Sequence, residues 1–284
     1  MDKLVLVGEG VFPITKNSAG ELIKGGPQTG FNVSGTIQGE GKWAGTASLF
    51  IRLAGCNLRC IWQMEDGSFS RCDTAYASFH PDSPTDYSIE EITNIVKANI
   101  GNMQHVVITG GEPLLQKYGV IALCKEIKKL GLYITIETNG TIFDKELTQY
   151  IDLVSASPKL SNSEPSENKM AFFREEFNGT AIHHAERRRN LSALQSYIDY
   201  CNQNNTELQL KFVVGRSKDA EEIRSDYVQS LNGLRQEDIL IMPLGANMAE
   251  IHCSERLALQ VCIQNGWRYS PRVHIELFGS KQGV

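Results

Sequence analysis

The sequence predicts an α/β fold on a parallel sheet, either open and doubly wound or curled into a full or partial barrel. Short β-branched runs bounded by turn residues alternate with stretches of helical apolar spacing, an order that implies parallel strands joined by right-handed crossovers. The strand-like runs are Ser48 to Leu53, His105 to Thr109, Leu132 to Ile136, Leu153 to Ser157, Leu208 to Val214, Ile239 to Pro243 and, with a weaker pattern, Trp267 to Ser270. Ser88-Ile89-Glu90-Glu91 is a capping-box signature that opens a helix ending near Ile100. Leu115 to Leu130, Leu191 to Asn202, Asp219 to Leu231 and Met248 to Gln264 carry the other helical patterns. At 284 residues the chain is expected to form a single domain. Two stretches fall outside the alternation: Met1 to Gly35, rich in Gly and polar residues, and Leu160 to Arg189, polar and then basic. They are expected to be an N-terminal extension, over 1–30, and a lid-like insertion, over 160–190.

Composition narrows the class of function. A hydrophobic content of 41% with 21% charged residues belongs to a globular protein rather than a disordered one. No run of about 18 apolar residues offers a membrane span, and the start MDKLVLVGEGVF lacks a signal peptide's basic and apolar regions. The expectation is a cytoplasmic protein without a membrane partner. A net charge of −5 gives no electrostatic basis for nucleic-acid binding, and the patch Glu186-Arg187-Arg188-Arg189 reads as a solvated helix face.

Of seven cysteines, Cys124, Cys201, Cys253 and Cys262 are scattered through helix-like or apolar stretches, whereas Cys56, Cys60 and Cys72 crowd into GCNLRCIWQMEDGSFSRCDT. Among reduced thiols such a trio indicates a metal site or catalysis rather than disulfides. The trio follows directly on the strand Ser48 to Leu53, which puts it at the C-terminal edge of the sheet, where α/β folds hold their chemistry. Three thiolates suit an iron–sulfur cube whose fourth iron stays open to an outside ligand. A structural zinc site would ask for a fourth Cys or His, and the nearest histidine is His80.

Three more strand ends line the same rim: Thr109-Gly110-Gly111-Glu112-Pro113, Glu137-Thr138-Asn139-Gly140 and Ser157-Pro158-Lys159. The paired glycines would let backbone groups approach a ligand closely.

The order TIQGEG, FIRLAGCNLRC, CDT, ITGGEP, ETNG, SPK, HIELFG resembles the radical S-adenosylmethionine (SAM) enzymes, from about Phe31 to the end of the sequence. Gln38-Gly39-Glu40-Gly41 ahead of Arg52, with Asp73-Thr74 after the last cysteine, makes it similar within them to the 7-carboxy-7-deazaguanine synthases of the queuosine precursor pathway. Many members have two residues between the second and third cysteines. Here Gln63 to Arg71 forms an additional insertion in that loop.

The resemblance implies a partial (β/α) barrel of the TIM type. It also implies a 4Fe–4S cluster on Cys56, Cys60 and Cys72, SAM on the open iron, and Mg²⁺ on Thr74. Cleavage of SAM would give a 5′-deoxyadenosyl radical that takes hydrogen from 6-carboxy-5,6,7,8-tetrahydropterin; ring contraction and loss of ammonia would then yield 7-carboxy-7-deazaguanine. SAM would be regenerated, and the protein would orient the reactants and exclude water. Arg71, Asp73, Gly111, Glu137, Ser157, Pro158, Lys159 and Lys211 are expected on the SAM side. Ile37, Gln38, Gly39, Glu40, Arg52, Thr109, His274 and the carboxylate of Val284 are expected around the pterin. Arg52 suits a bidentate grip on the substrate carboxylate, and the amide of Gln38 suits the donor and acceptor edge of a pterin. Relatives also imply a homodimer and an external, flavodoxin-like electron donor. Two alternatives remain: another radical SAM enzyme, such as an activase or a relative with an altered substrate, and a cluster-less relative that binds a protein partner.

Overall fold

A computed structural model describes residues 3–284. Its strands are β1 (Lys3–Phe12), β2 (Thr36–Ile37), β3 (Ala47–Leu53), β4 (Ile61–Gln63), β5 (Phe69–Arg71), β6 (Thr85–Ser88), β7 (His105–Gly110), β8 (Tyr133–Thr138), β9 (Leu153–Ala156), β10 (Glu207–Val214), β11 (Ile239–Pro243) and β12 (Arg268–Tyr269). All seven strand-like runs of the sequence are strands. β3, β7, β8, β9, β10, β11 and β12 lie side by side in chain order, each parallel to the last. A doubly wound sheet reverses its strand order part-way. This one never does, so its crossovers pass on one side, as in a TIM barrel. The sheet ends at β12 and β6 without closing, which makes a partial barrel.

Side-chain alternation along these strands separates a core face from a functional face. Leu49, Ile51 and Leu53 of β3, Val106 and Ile108 of β7, Ile134 and Ile136 of β8, and Leu210, Phe212 and Val214 of β10 belong to one apolar core. They share it with the inward sides of the helices Ile89–Asn99, Lys117–Lys129, Leu191–Asn204 and Met248–Asn265. The intervening positions Arg52, Thr109, Glu137, Ser155 and Lys211 face a cavity. This concave face mixes apolar side chains with charged and polar ones, which a sheet covered by helices on both sides would not carry.

The expected helix starts and stops have physical causes. Ser88 and Glu91 form the reciprocal capping box, Asn190 and Asn247 cap the first turns of their helices, and Gly266 ends the last long helix in the left-handed conformation. The stretch Asp219 to Leu231 departs from a plain α-helix, with one turn at Asp219–Glu222 passing into a π-helix over Ile223–Val228.

The structure departs from the sequence reading at the N-terminus. Lys3–Phe12, within the supposed extension, is strand β1 between β3 and β6 and antiparallel to both. Its glycines and polar residues obscured a strand whose Leu4, Leu6 and Val11 are fully buried. Met1 and Asp2 lie outside the described residues.

Candidate active site

The cysteine loop leaves the C-terminal end of β3 and is pinned there by the next strand. Gly111 N donates to Leu53 O at 3.0 Å and Glu112 N to Gly55 O at 2.8 Å. A Cβ on Gly111 would lie 2.0 Å from the Gly55 carbonyl oxygen, so a larger residue would push the loop away. The glycine was expected beside SAM; the close approach it permits is to the backbone ahead of Cys56. The Glu112 carboxylate, fully buried, accepts from Leu114 N, Thr138 Oγ1 and Asn139 N at 2.7–3.0 Å. Asn139 in turn donates to Asn57 Oδ1 at 2.7 Å and approaches Cys56 Sγ at 3.9 Å. One buried carboxylate thereby ties the ends of β7 and β8 to the first cysteine.

The insertion Gln63 to Arg71 is a β-hairpin. β4 and β5 pair antiparallel, and their ladder continues to Cys72 N donating to Cys60 O at 3.1 Å. The ladder of the hairpin therefore runs on to the second and third cysteines. The outer side of the hairpin rests on the 160–190 segment. Gln63 and Asn162 exchange two hydrogen bonds at 3.0 Å, Lys169 Nζ donates to the carbonyl of Ile61 at 2.9 Å, and Phe69 meets Phe172 edge-on. His184, fully buried, accepts from Arg59 N at 3.1 Å. No residue of 160–190 lines the cavity. The segment read as a lid is a buttress behind the cysteine loop.

The cavity gathers the expected residues Ile37, Gln38, Gly39, Glu40, Arg52, Cys56, Cys60, Arg71, Cys72, Asp73, Thr74, Thr109, Gly111, Glu137, Ser157, Lys159, Lys211, His274 and Val284. Pro158 falls outside it. Arg71 reaches it only at its edge: the guanidinium is 3.5 Å from Glu175 and stacks over Phe173, held by the buttress. Two of the expected residues, Glu40 and Asp73, also carry ion pairs within the protein. Glu40 is engaged by Lys211 and by Arg272 Nε at 3.0 Å, with His274 at 3.8 Å, so its carboxylate is satisfied by protein. Burial alone would raise the Glu40 pKa, but Lys211 and Arg272 outweigh it and hold it far below the usual carboxylate range. Asp73, whose side chain is 39% exposed, pairs with Arg272; desolvation raises its pKa, but the guanidinium outweighs it and holds the carboxyl below its ordinary value. Arg272 was missed by the sequence reading; its position two residues before His274 in SPRVHIE was the available signal.

Arg52 presents the opposite case. Its guanidinium sits 5.0 Å from the ring centroid of Phe12 and 5.6 Å from that of Tyr76, and its buried Nε has no hydrogen-bond partner among the described residues. Nearby, Glu137 accepts from Gln38 Nε2 at 3.1 Å and from Thr109 Oγ1 at 2.8 Å. The expected SAM residue Glu137 thus touches two residues expected around the pterin. On the other rim Lys159 Nζ donates to Ser157 Oγ at 2.8 Å. A Cβ on Gly39 would strike His274 Nδ1 at 2.1 Å, which shows how closely the C-terminal segment docks on the Gln38 loop.

The profile of the Radical SAM superfamily matches residues 50–207. The 7-carboxy-7-deazaguanine synthase of Halobacterium salinarum is 35% identical over 247 residues, covering 86% of this chain and 87% of that protein. This chain is a radical SAM protein of the 7-carboxy-7-deazaguanine synthase family. The family's member from Rhodopirellula baltica is 34% identical over 247 residues, 87% of this chain and 85% of its own length. The crystal structure of QueE from Escherichia coli shares the fold, with a TM-score of 0.54 and 23% identity over 92% of this chain and 93% of that one.

Membership in the radical SAM family brings a 4Fe–4S cluster and SAM, and the cysteine site fits the cluster. All three thiols are free and border an apolar shell of Leu58, Trp62, Met64, Val213, Met242 and Leu244. Burial, with the nearby Glu112 charge, pushes the Cys56 thiol up to about 12, and burial pushes Cys60 well above its ordinary value. Such thiols stay protonated when the site is empty and lose their protons on binding a cationic centre, which stabilises the thiolate. Donors are aimed at the sulfurs: Leu58 N at 3.4 Å from Cys56 Sγ, and Ser78 Oγ at 3.8 Å from Cys72 Sγ. Among the described residues no three His, Cys, Asp or Glu side chains converge as the ligands of one metal ion would.

Proposed function

We propose that the chain is a 7-carboxy-7-deazaguanine synthase, converting 6-carboxy-5,6,7,8-tetrahydropterin to 7-carboxy-7-deazaguanine and ammonia. The observation that carries the substrate assignment is Arg52, a guanidinium clamped between Phe12 and Tyr76 with an unpartnered buried Nε. A cation in a partly apolar cavity, paired with no carboxylate among the described residues, calls for an anionic ligand, and a planar carboxylate matches its fork. Gln38, Thr109 and Glu137 form a linked set of amide, hydroxyl and carboxylate groups suited to the alternating donors and acceptors of a pterin ring. His274 closes this side against Gly39, and Val284 completes the lining.

The cluster, when bound and reduced, supplies with SAM the radical chemistry that starts ring contraction. The chain's own groups do the positioning. Cys56, Cys60 and Cys72 would hold the cluster; Ser157, Lys159 and Asn139 would receive SAM; Thr74, whose hydroxyl is 3.3 Å from Cys72 Sγ, would hold Mg²⁺. Apolar walls around the cysteines exclude water from the reacting centre. The protein works in the cytoplasm as a homodimer served by a flavodoxin-like electron donor. Among its described residues no helix is long and apolar enough to cross a membrane.

Anaerobically reconstituted protein, given dithionite, SAM, Mg²⁺ and carboxytetrahydropterin, should form the deazaguanine product, read by mass spectrometry. SAM cleavage without product would mark a radical SAM enzyme of another substrate. Absence of iron after reconstitution would mark a cluster-less binding protein.

A further inference from the structure

Arg272 joins three segments that are far apart in the chain. Its Nε donates to Glu40 Oε1 at 3.0 Å, one terminal nitrogen donates to the carbonyl of Gly245, and the other to Asp73 Oδ2. The side chain is 4% exposed. Asp73 stands between Cys72 and Thr74, and Glu40 belongs to the loop that carries Gln38. We propose that Arg272 is a positioning residue that fixes the segment after Cys72 against the Gln38–Gly41 loop, so that one guanidinium sets Asp73, Thr74 and the substrate side of the cavity together.

Two features of the geometry support this role. Both oxygens of Glu40 and one of Asp73 are paired with protein cations, Lys211 taking the second oxygen of Glu40, so Arg272 holds both carboxylates in place. A planar guanidinium can donate to two carboxylates and a carbonyl at once in a rigid fork, which an ammonium group cannot reproduce. Arg272 also begins the turn whose next residue, Val273, donates N–H to Gly39 O at 3.0 Å, so the link to the Gln38 loop is made by main chain as well. Loss of the guanidinium would leave the buried Glu40 carboxylate to Lys211, would take from Asp73 its salt-bridge partner, and would free the segment following Cys72 from the loop.

The proposal rests on the synthase reading for its substrate half, and the test separates the two. Arg272→Lys, Asp73→Asn and the double variant are reconstituted as full chains. Iron content should match that of the parent, the KM for carboxytetrahydropterin should rise about tenfold or more with a smaller change in kcat, and the double variant should be no worse than the more severe single one. Hydrogen–deuterium exchange, which needs no substrate, should quicken in both 37–42 and 72–76 in Arg272→Lys. An unchanged KM, effects that multiply, or faster exchange confined to 268–276 would overturn the proposal. If Arg272→Lys does not fold, Asp73→Asn, which takes the charge out of the same link, carries both measurements. If the parent makes no deazaguanine, the substrate reading fails while the exchange experiment still decides the role of Arg272.

Discussion

Lys169 Nζ donates to the main-chain carbonyl of Ile61 at 2.9 Å, one residue beyond the second cluster cysteine, and the same ammonium also caps Asn162 O at 2.8 Å and Glu164 O at 2.7 Å. A single cation thus welds the 160–190 segment to the cysteine loop. Lys169→Met would leave these carbonyls unpaired in a half-buried site, at a cost of about 1–3 kcal/mol for each that stays buried and unsatisfied. The expected result is a lower unfolding temperature and faster loss of iron on dilution, with Lys169→Arg recovering part of both. Equal iron retention in Lys169→Met and the parent would show that the buttress does not support the site.

Single Cys→Ala changes at 56, 60 and 72 should each abolish the brown chromophore and SAM cleavage, whereas changes at Cys124, Cys201, Cys253 and Cys262 should leave both. Excising Gln63 to Arg71 should keep the cluster: shortening the loop changes its closure entropy by only about 1–2 kcal/mol, small beside metal–thiolate binding on the order of 10 kcal/mol. The hairpin's contacts with Asn162, Phe172, Glu175 and Glu250 would be lost, so the unfolding temperature should drop. Iron analysis and calorimetry check both parts, and loss of iron would show that the hairpin register is needed to hold Cys60 and Cys72 together.

Arg52→Gln removes the cation offered to the substrate carboxylate. A charge-assisted hydrogen bond is worth about 1.5–3 kcal/mol, so kcat/KM for carboxytetrahydropterin should fall by about one to two orders of magnitude. SAM binding, measured by calorimetry, should stay within about twofold of the parent. A comparable fall in SAM affinity would move Arg52 to the other side of the cavity.

Thr74→Ala should blunt the response of turnover to Mg²⁺ while iron content stays full. Titration of Mg²⁺ against product formation reads the effect, and an unchanged response would remove Thr74 from the metal site.

Acid should destabilise the protein through His105, buried between Ser48 and Thr135 with hydrogen bonds of 2.6 and 2.8 Å. Burial lowers its pKa to about 4 from an ordinary 6.5, outweighing the opposite pull of Asp152. Above pH 6.5 both folded and unfolded chains carry it neutral and it contributes nothing. As pH falls towards 4 the unfolded chain takes up a proton that the folded one refuses, so stability declines over that window, by about 3 kcal/mol at most. His105→Gln should flatten the decline in denaturant titrations at a series of pH values; an identical slope in the variant would assign the loss to other groups.

The sequence by itself determined the parallel strand series, the cysteine trio at the first strand end and most of the cavity lining. Period-two alternation puts Arg52, Thr109, Glu137 and Lys211 opposite the apolar core whatever the crossovers do, and motifs at strand ends must share one edge of a parallel sheet. Tertiary structure decided what those motifs touch. Gly111 is needed by the Gly55 backbone, Glu40 and Asp73 are taken up by Arg272, and the supposed lid stands behind the cysteine loop. Strand β1 was hidden because an antiparallel strand interrupted by Gly8 and Gly10 leaves little pattern. Arg272 was hidden because a salt bridge between residues 199 positions apart follows no period. Local sequence encodes which face a side chain takes; its charge partner depends on which distant segments the fold brings within a few ångströms, and that becomes visible only in three dimensions.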